Sequence, residues 1–251
     1  MLKRVCVFVD GENFRHTIVD LFTSFNQADY LPKNGGWEKF FDWLVDKVVT
    51  PTGSWERVRT YWYVIQHIDF FPYKFPDAMK FPLALEKLLI KHSQHRTDLA
   101  TLTGQDKIIK MQEIVKMLRD RQNRMRRRFD GWNSIHNGIA GTQKAIEFRR
   151  AGGIRYNLFE DTLGTEKAVD VKLATDLLEL RPIYDIAVIV SGDQDYVPAV
   201  EIIKNSGKSV VNVAFKTRGG QLLPGGAWRL NITTDWSYEV TYNDFKDHLK
   251  L

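Results

Sequence analysis

Five consecutive residues, Val5, Cys6, Val7, Phe8 and Val9, are all of the kind found in protein interiors, and the run stops at Asp10 and Gly11. A short apolar run bounded by turn residues reads as a fully covered strand. Similar runs recur at 57–65, 154–159, 185–190 and 208–215. Between most of them lie segments with apolar residues three or four apart, at 37–49, 107–129, about 138–150, 167–180 and 196–205. That alternation predicts an α/β fold with a mostly parallel central sheet. The roughly 90 residues between the second and third strands are too many for a simple crossover and predict a helical insertion, at about 76–152. The whole chain, 1–251, is expected to form a single domain carrying it.

Composition narrows the setting. The 36 Lys and Arg against 31 Asp and Glu give a net charge of +5, compatible with a polyanionic partner. Cys6 is the only cysteine, which excludes disulfides within the chain and cysteine-built zinc sites. No apolar stretch approaches the roughly 20 residues that span a bilayer, and the chain runs directly into a strand without a signal-peptide layout. A cytoplasmic protein with no membrane partner is expected, so the Asn-Ile-Thr at Asn231 is not expected to be glycosylated. A homo-oligomer is compatible with these features.

Three segments place carboxylates where an α/β sheet builds its sites. Asp10 falls at the C-terminal end of the first strand, on the side where ligand crevices of open sheets lie. The stretch "DIAVIVSGDQDYVPAV" leads from a strand through Ser191 and Gly192 to Asp193 and Asp195. In "EKAVDVKLATDLL", Asp170 lies near a helix N-terminus, the end that favours negative charge. Carboxylates converging without histidine or cysteine form an oxygen-only site suited to Mg²⁺ or Mn²⁺, and phosphoryl transfer to water is the implied chemistry. Asn13 can orient a water or a phosphate oxygen without adding charge. Each residue also has an ordinary role open to it: Asp10 in a turn, Asp193 and Asp195 as helix caps, Asp170 paired with Lys167. Asp176 lies about 120° around the helix from Asp170, which favours capping or a supporting role over ligation.

The motifs "VFVDGEN", "EKAVDVKLATDLL" and "VIVSGDQDYVPAV", followed by "GKSVVNV", resemble those of NYN domains, PIN-like metal-dependent ribonucleases that include the LabA-like bacterial proteins. The resemblance covers residues 4–14 and about 154–240. It implies a PIN-like three-layer α/β/α sandwich and an acidic Mg²⁺ or Mn²⁺ site for hydrolysing RNA. By motif, Asp10, Asn13, Asp170, Asp193 and Asp195 carry over as catalytic residues, with Asp10, Asp170 and Asp193 as metal ligands. The alternative is a catalytically inactive NYN module that binds RNA or a protein partner.

Charge is concentrated outside those motifs. Residues 107–128 hold nine Lys and Arg against Glu113 and Asp120, so the stretch carries +7 and the remainder of the chain −2. Ile108, Met111, Val115, Leu118 and Met125 form a helical stripe, leaving Lys116, Arg119, Arg124, Arg126, Arg127 and Arg128 outward as expected contacts to RNA, in single-stranded or loop regions. A solvated helix face is the plainer reading of the same residues. Phe129 and Trp132 are open to stacking on unpaired bases and to packing. "GGQLLPGGAW" lacks the Gly-Lys-Ser/Thr ending of a P-loop. The six histidines show no metal-ligand spacing, His92 and His95 being the closest pair. A haloacid-dehalogenase-type phosphatase also opens on a strand-end Asp, but resembles Asp-x-Asp there, and here the second position is Glu12.

Overall fold

The computed structural model describes residues 2–21, 31–49, 53–223 and 227–249. Pro224 to Gly226 of the glycine-rich stretch lie outside them. The fold is mixed α/β, with nine α-helices and eight strands among the described residues. The strands are β1 (Lys3–Asp10), β2 (Trp55–Phe71), β3 (Ile146–Asn157), β4 (Thr162–Lys167), β5 (Ile186–Val190), β6 (Ser209–Lys216), β7 (Leu222–Leu223) and β8 (Trp236–Val240). Their hydrogen-bonded order is β4-β3-β2-β1-β5-β6-β7, with β8 also paired to β6. The pairs β1–β2, β1–β5, β5–β6 and β6–β8 are parallel, and β6–β7 is antiparallel. No described helix is long and apolar enough to cross a membrane.

The chain divides into two compact units: 1–66, 131–152 and 167–251 in the first, and 67–130 and 153–166 in the second. In the first, Val5 to Val9 and Val188 to Val190 are completely buried. The two strands that read as continuous apolar runs are thus covered on both faces, as parallel strands are. α1 (Gly11–Leu21), α2 (Trp37–Val49) and α9 (Tyr242–Leu249) bring Phe14, Trp37, Phe40 and Phe245 together with Trp62 and Phe215. Phe14 sits at the centre, its ring centroid 5.4–6.3 Å from the other five. Phe8, of opposite parity along β1 to Val7 and Val9, instead meets Tyr61 and Tyr184, each at 5.6 Å. α6 (Val169–Glu179) packs against β1, and α7 (Val197–Asn205) against β6 and α6. α8 (Ala227–Thr233), which holds Asn231, packs on β6 and β8.

Gly11 begins α1 with no loop after β1. A Cβ there would stand 2.1 Å from the Tyr63 carbonyl oxygen, so only glycine lets the helix start this close to β2. The Asp-Gly pair that reads as a turn is therefore a direct strand-to-helix junction.

The second unit contains α3 (Pro82–Leu89), α4 (Ser93–Ala100) and the first part of α5 (Gly104–Thr142). Its core includes Leu85, Leu89, Leu99, Met111, Leu118 and Leu158, none more than 1 % exposed. Of the stripe, Met111, Val115, Leu118 and Met125 are buried as the spacing predicts, and Ile108 is half-buried. Two expectations change. The separate helix expected at about 138–150 does not form, its first residues being the end of α5, one 39-residue helix to Thr142; and the strand expected at 154–159 starts earlier, as β3 over 146–157. Ile146 and Phe148 lie two apart, the strand period, and this decides over the looser three-and-four spacing read across the segment. Gly152 has φ +56°, and a Cβ on it would lie 1.7 Å from the Lys167 carbonyl oxygen, so the glycine permits the close approach of the chain at the end of β4.

Candidate metal centre

Asp10 ends β1 one position beyond Val9, which pairs with Val190 of β5. The sheet therefore sets Asp10 beside Ser191, the first residue after β5. Asp10 is 3 % exposed, yet its carboxylate is well supplied with donors. Oδ1 accepts the Asn13 backbone N–H (3.1 Å), and Oδ2 accepts the hydroxyls of Ser191 (2.9 Å) and Tyr196 (3.2 Å). Asn13 is fixed in turn, its Oδ1 accepting the Gly192 N–H at 3.2 Å. Ser191 Oγ also accepts the Asp193 N–H at 3.0 Å, so one hydroxyl ties the two acidic motifs together.

Asp170 enters from the first turn of α6, and Asp193 from the loop after β5. Asp10, Asp170 and Asp193 each place a carboxylate oxygen within 4.8 Å of the other two, and they are the one such group of possible ligands among the described residues. Burial pushes Asp10 up to about 6 against the pull of the Asn13 and Ser191 hydrogen bonds, and the charge of Asp170 adds to the rise. Burial likewise raises Asp193, opposed by the Asp195 N–H and reinforced by the charges of Asp195 and Asp170. Tyr196, fully buried beside Asp10, is pushed well above the usual phenol range by burial and by the neighbouring carboxylates. Three carboxylates this close resist ionising together unless a cation compensates them. An oxygen-only donor set of this kind fits a divalent metal.

Two acidic residues stand apart from the trio. Asp195 is exposed, and its backbone N–H is capped by Asp193 Oδ1 at 2.9 Å. Asp176 is fully buried and bound by Tyr63 Oη (2.9 Å), Arg149 (2.5 Å) and Lys172 (2.7 Å). Burial would raise its pKa, but these three donors outweigh it and hold the carboxyl below the usual range. Asp176 thus supports α6, ionised among its own cations, and is not one of the converging three. Glu12 is 8 % exposed and paired with Arg15 at 2.9 Å. Ser191, Tyr196, Tyr63 and Arg149 were not legible as part of this region. Only the position of Ser191 and Tyr196 beside Asp193 in "VSGDQDY" hinted at them.

The basic residues lie on α5 in the second unit. Lys116, Arg119, Arg124, Arg126 and Arg127 are exposed and Arg128 is half-buried. Arg126 lies 5.3 Å from the Phe70 ring centre, and Arg124 is 3.8 Å from Asp161. Arg121 turns inward, donating to the carbonyl oxygens of Leu158 and Phe159, both at 2.9 Å. Trp132 is 3 % exposed and belongs to the core rather than to a stacking surface.

The first unit thus carries an acidic cluster, Asp10, Asp170 and Asp193, on a mostly parallel α/β sheet. The sequence profile of the NYN domain matches residues 97–222, half of the chain, and the chain belongs to this family. The match takes in Asp170, Asp193 and Asp195 and begins after Asp10 and Asn13. A crystal structure of a protein of unknown function from Vibrio parahaemolyticus is similar at 15% sequence identity, covering 95% of this chain and 93% of that one, with a TM-score of 0.46. No curated protein sequence matches.

Proposed function

We propose that the chain is a metal-dependent endoribonuclease, a single PIN-like three-layer α/β/α domain with a basic helical insertion, hydrolysing RNA at a Mg²⁺ or Mn²⁺ site. The observation that carries the reading is the convergence of Asp10, Asp170 and Asp193 at the strand ends, in a chain of the NYN family. These three residues would hold the metal. When bound, a divalent cation supplies charge neutralisation at the scissile phosphate and lowers the pKa of a water.

The chain's own residues supply the rest. Ser191 and Tyr196 fix Asp10 Oδ2, and the Asn13 N–H fixes Oδ1, so the buried carboxylate presents one orientation. With its oxygen held by Gly192, the Asn13 amide keeps its N–H donors for a phosphate oxygen. Asp195, exposed two positions beyond Asp193, would accept the proton of the attacking water as the water oxygen bonds to phosphorus, the P–O bond to the leaving ribose oxygen breaks and that oxygen takes a proton from solvent. Lys116, Arg119, Arg124, Arg126, Arg127 and Arg128 would hold single-stranded or loop phosphates along α5. The test is incubation of the purified chain with labelled RNA and DNA, with Mn²⁺ or with chelator. New RNA ends that need metal support the reading. RNA retained without new ends would leave an inactive binding module.

A further inference from the structure

The candidate metal centre is short of positive charge. Asp10, Asp170 and Asp193 converge, Asp195 follows two positions on, and one divalent cation balances only two of these carboxylates. A polyanion brings more negative charge to such a site, so the phosphates on either side of the one at the metal need cations from the protein. The cations of the flanking helices are already committed. On α1, Arg15 pairs with Glu12 at 2.9 Å. On α6, Lys172 is held by Asp176 at 2.7 Å, and Arg149 of β3 binds the same carboxylate. Lys167, three positions before Asp170, is exposed, and no ion pair among the described residues holds its ammonium toward the centre.

Arg229 is placed differently. It belongs to the first unit, as do the carboxylates. α8 packs against Gln194–Tyr196, the turn that carries Asp195 directly after Asp193. Arg229 is exposed and meets Gln194, the residue between those two carboxylates, with Nη1 3.5 Å from Gln194 Oε1. The helix beneath it is fixed. Ala227 and Leu230 are completely buried, the Asn212 amide donates to Asn231 Oδ1 at 2.6 Å, and Lys204 Nζ donates to the Thr233 carbonyl oxygen at 2.6 Å. A contact of 3.5 Å to a neutral amide is at the limit of hydrogen bonding, so it holds the guanidinium against the turn without satisfying it. Among the described residues Arg229 has no carboxylate partner, and the fork of N–H donors left over is the one that grips two oxygens of a phosphate at once.

We infer that Arg229 holds the RNA phosphate next to the scissile one. The inference rests on the reading of the chain as an RNA-cutting enzyme, and its first test reads binding without metal, so that the two fail separately. The full chain in chelator is titrated with a labelled short single-stranded RNA at several salt concentrations, by fluorescence anisotropy. Arg229→Ala should flatten the log–log salt slope by up to roughly 0.7, the share of one phosphate contact, and Arg229→Lys, which keeps the charge, should keep the slope. In Mn²⁺, Arg229→Ala should raise KM on the order of tenfold with kcat little changed. A methylphosphonate, which removes the charge of one linkage, then locates the contact. At one of the two linkages beside the cleaved bond it should raise the wild-type KM by a similar factor and leave that of Arg229→Ala unchanged.

An unchanged slope or an unchanged KM in Arg229→Ala would overturn the inference. So would methylphosphonate effects of equal size in the two proteins at both neighbouring linkages. Because Arg229 is exposed, urea unfolding of Arg229→Ala should match the wild type, and a loss of stability in step with the loss of binding would mean that the residue acts through the fold and not on the phosphate. A flattened slope in chelator without cleavage by the wild type in Mn²⁺ would instead retain the phosphate contact and remove the enzyme.

Discussion

Ser191 Oγ donates to Asp10 Oδ2 at 2.9 Å, joining the ends of β5 and β1 across 181 residues of sequence. This contact and the Tyr196 hydroxyl keep a nearly fully buried carboxylate in a single orientation, ready for a cation that its two acidic neighbours also need.

Without metal, that arrangement costs stability. The folded pKa of Asp10 is about 6, raised first by burial, against 3.8 for an unperturbed group. A raised folded pKa contributes stability below the unfolded pKa and loses it as pH rises through the folded one. In chelator the wild type should therefore weaken between about pH 4 and 7, by up to about 3 kcal/mol from this group. Asp10→Asn should flatten the trend and be the more stable protein at neutral pH. Urea unfolding at several pH values measures it, and parallel curves for the two proteins would count against the assignment.

Acid should act through a different residue in the opposite direction. His136 is 3 % exposed, its ring stacked on Phe148 at 4.5 Å, and burial, then Arg150, push its pKa down to about 3. The unfolded chain takes up a proton near pH 6.5 that the folded chain refuses, so stability is full above that pH and falls toward pH 3. His136→Phe should lose about one proton from the pH dependence of unfolding between roughly pH 4 and 6. Thermal unfolding across that window reads the slope.

Asp176 and Asp170 share a helix and should behave as opposites. Removing Asp176 leaves Arg149 and the Tyr63 hydroxyl without their buried acceptor, so Asp176→Ala should destabilise by about 3–5 kcal/mol. Asp170→Ala should unfold no more easily than the wild type in chelator but lose the stabilisation that added Mn²⁺ gives. Thermal unfolding of both variants, with and without Mn²⁺, separates the two roles.

Salt should report on α5. Each phosphate contact releases counterions, so RNA affinity should fall linearly on a log–log salt plot, and replacing Arg124, Arg126, Arg127 and Arg128 with Ser should flatten the slope by up to roughly 0.7 per lost contact. Arg126 over Phe70 and Arg124 near Asp161 are partly committed within the protein, so the change should fall short of four full contacts. An unchanged slope would return this face to plain solvation.

Local pattern carried much of this architecture. β1, β5, β6, α2, α6 and α7 declared themselves because their apolar residues follow one period and stop at a glycine, a carboxylate or a cap. Asp10, Asp170 and Asp193 were legible for the same reason, being the residues at which those periods begin or end. α1 was hidden because Asp-Gly reads as a turn, and only the nearness of the Tyr63 carbonyl reveals why glycine is there. The first part of β3, before residue 154, was hidden because its apolar residues also fit a helix. Lys172 stands four positions before Asp176, the helical pairing distance, but the other partners of Asp176, Tyr63 and Arg149, were beyond local pattern, lying 113 and 27 positions away in segments that do not encode the pairing.

The central claim is that Asp10, Asp170 and Asp193 form a working metal site, and cleavage of labelled RNA by the wild-type chain beside Asp10→Asn and Asp193→Asn, with Mn²⁺ raised to saturation, tests it most directly. The account predicts new RNA ends from the wild type that vanish in chelator, and none from either variant although both remain folded. Wild-type turnover in either variant, or cleavage indifferent to chelator, would contradict it.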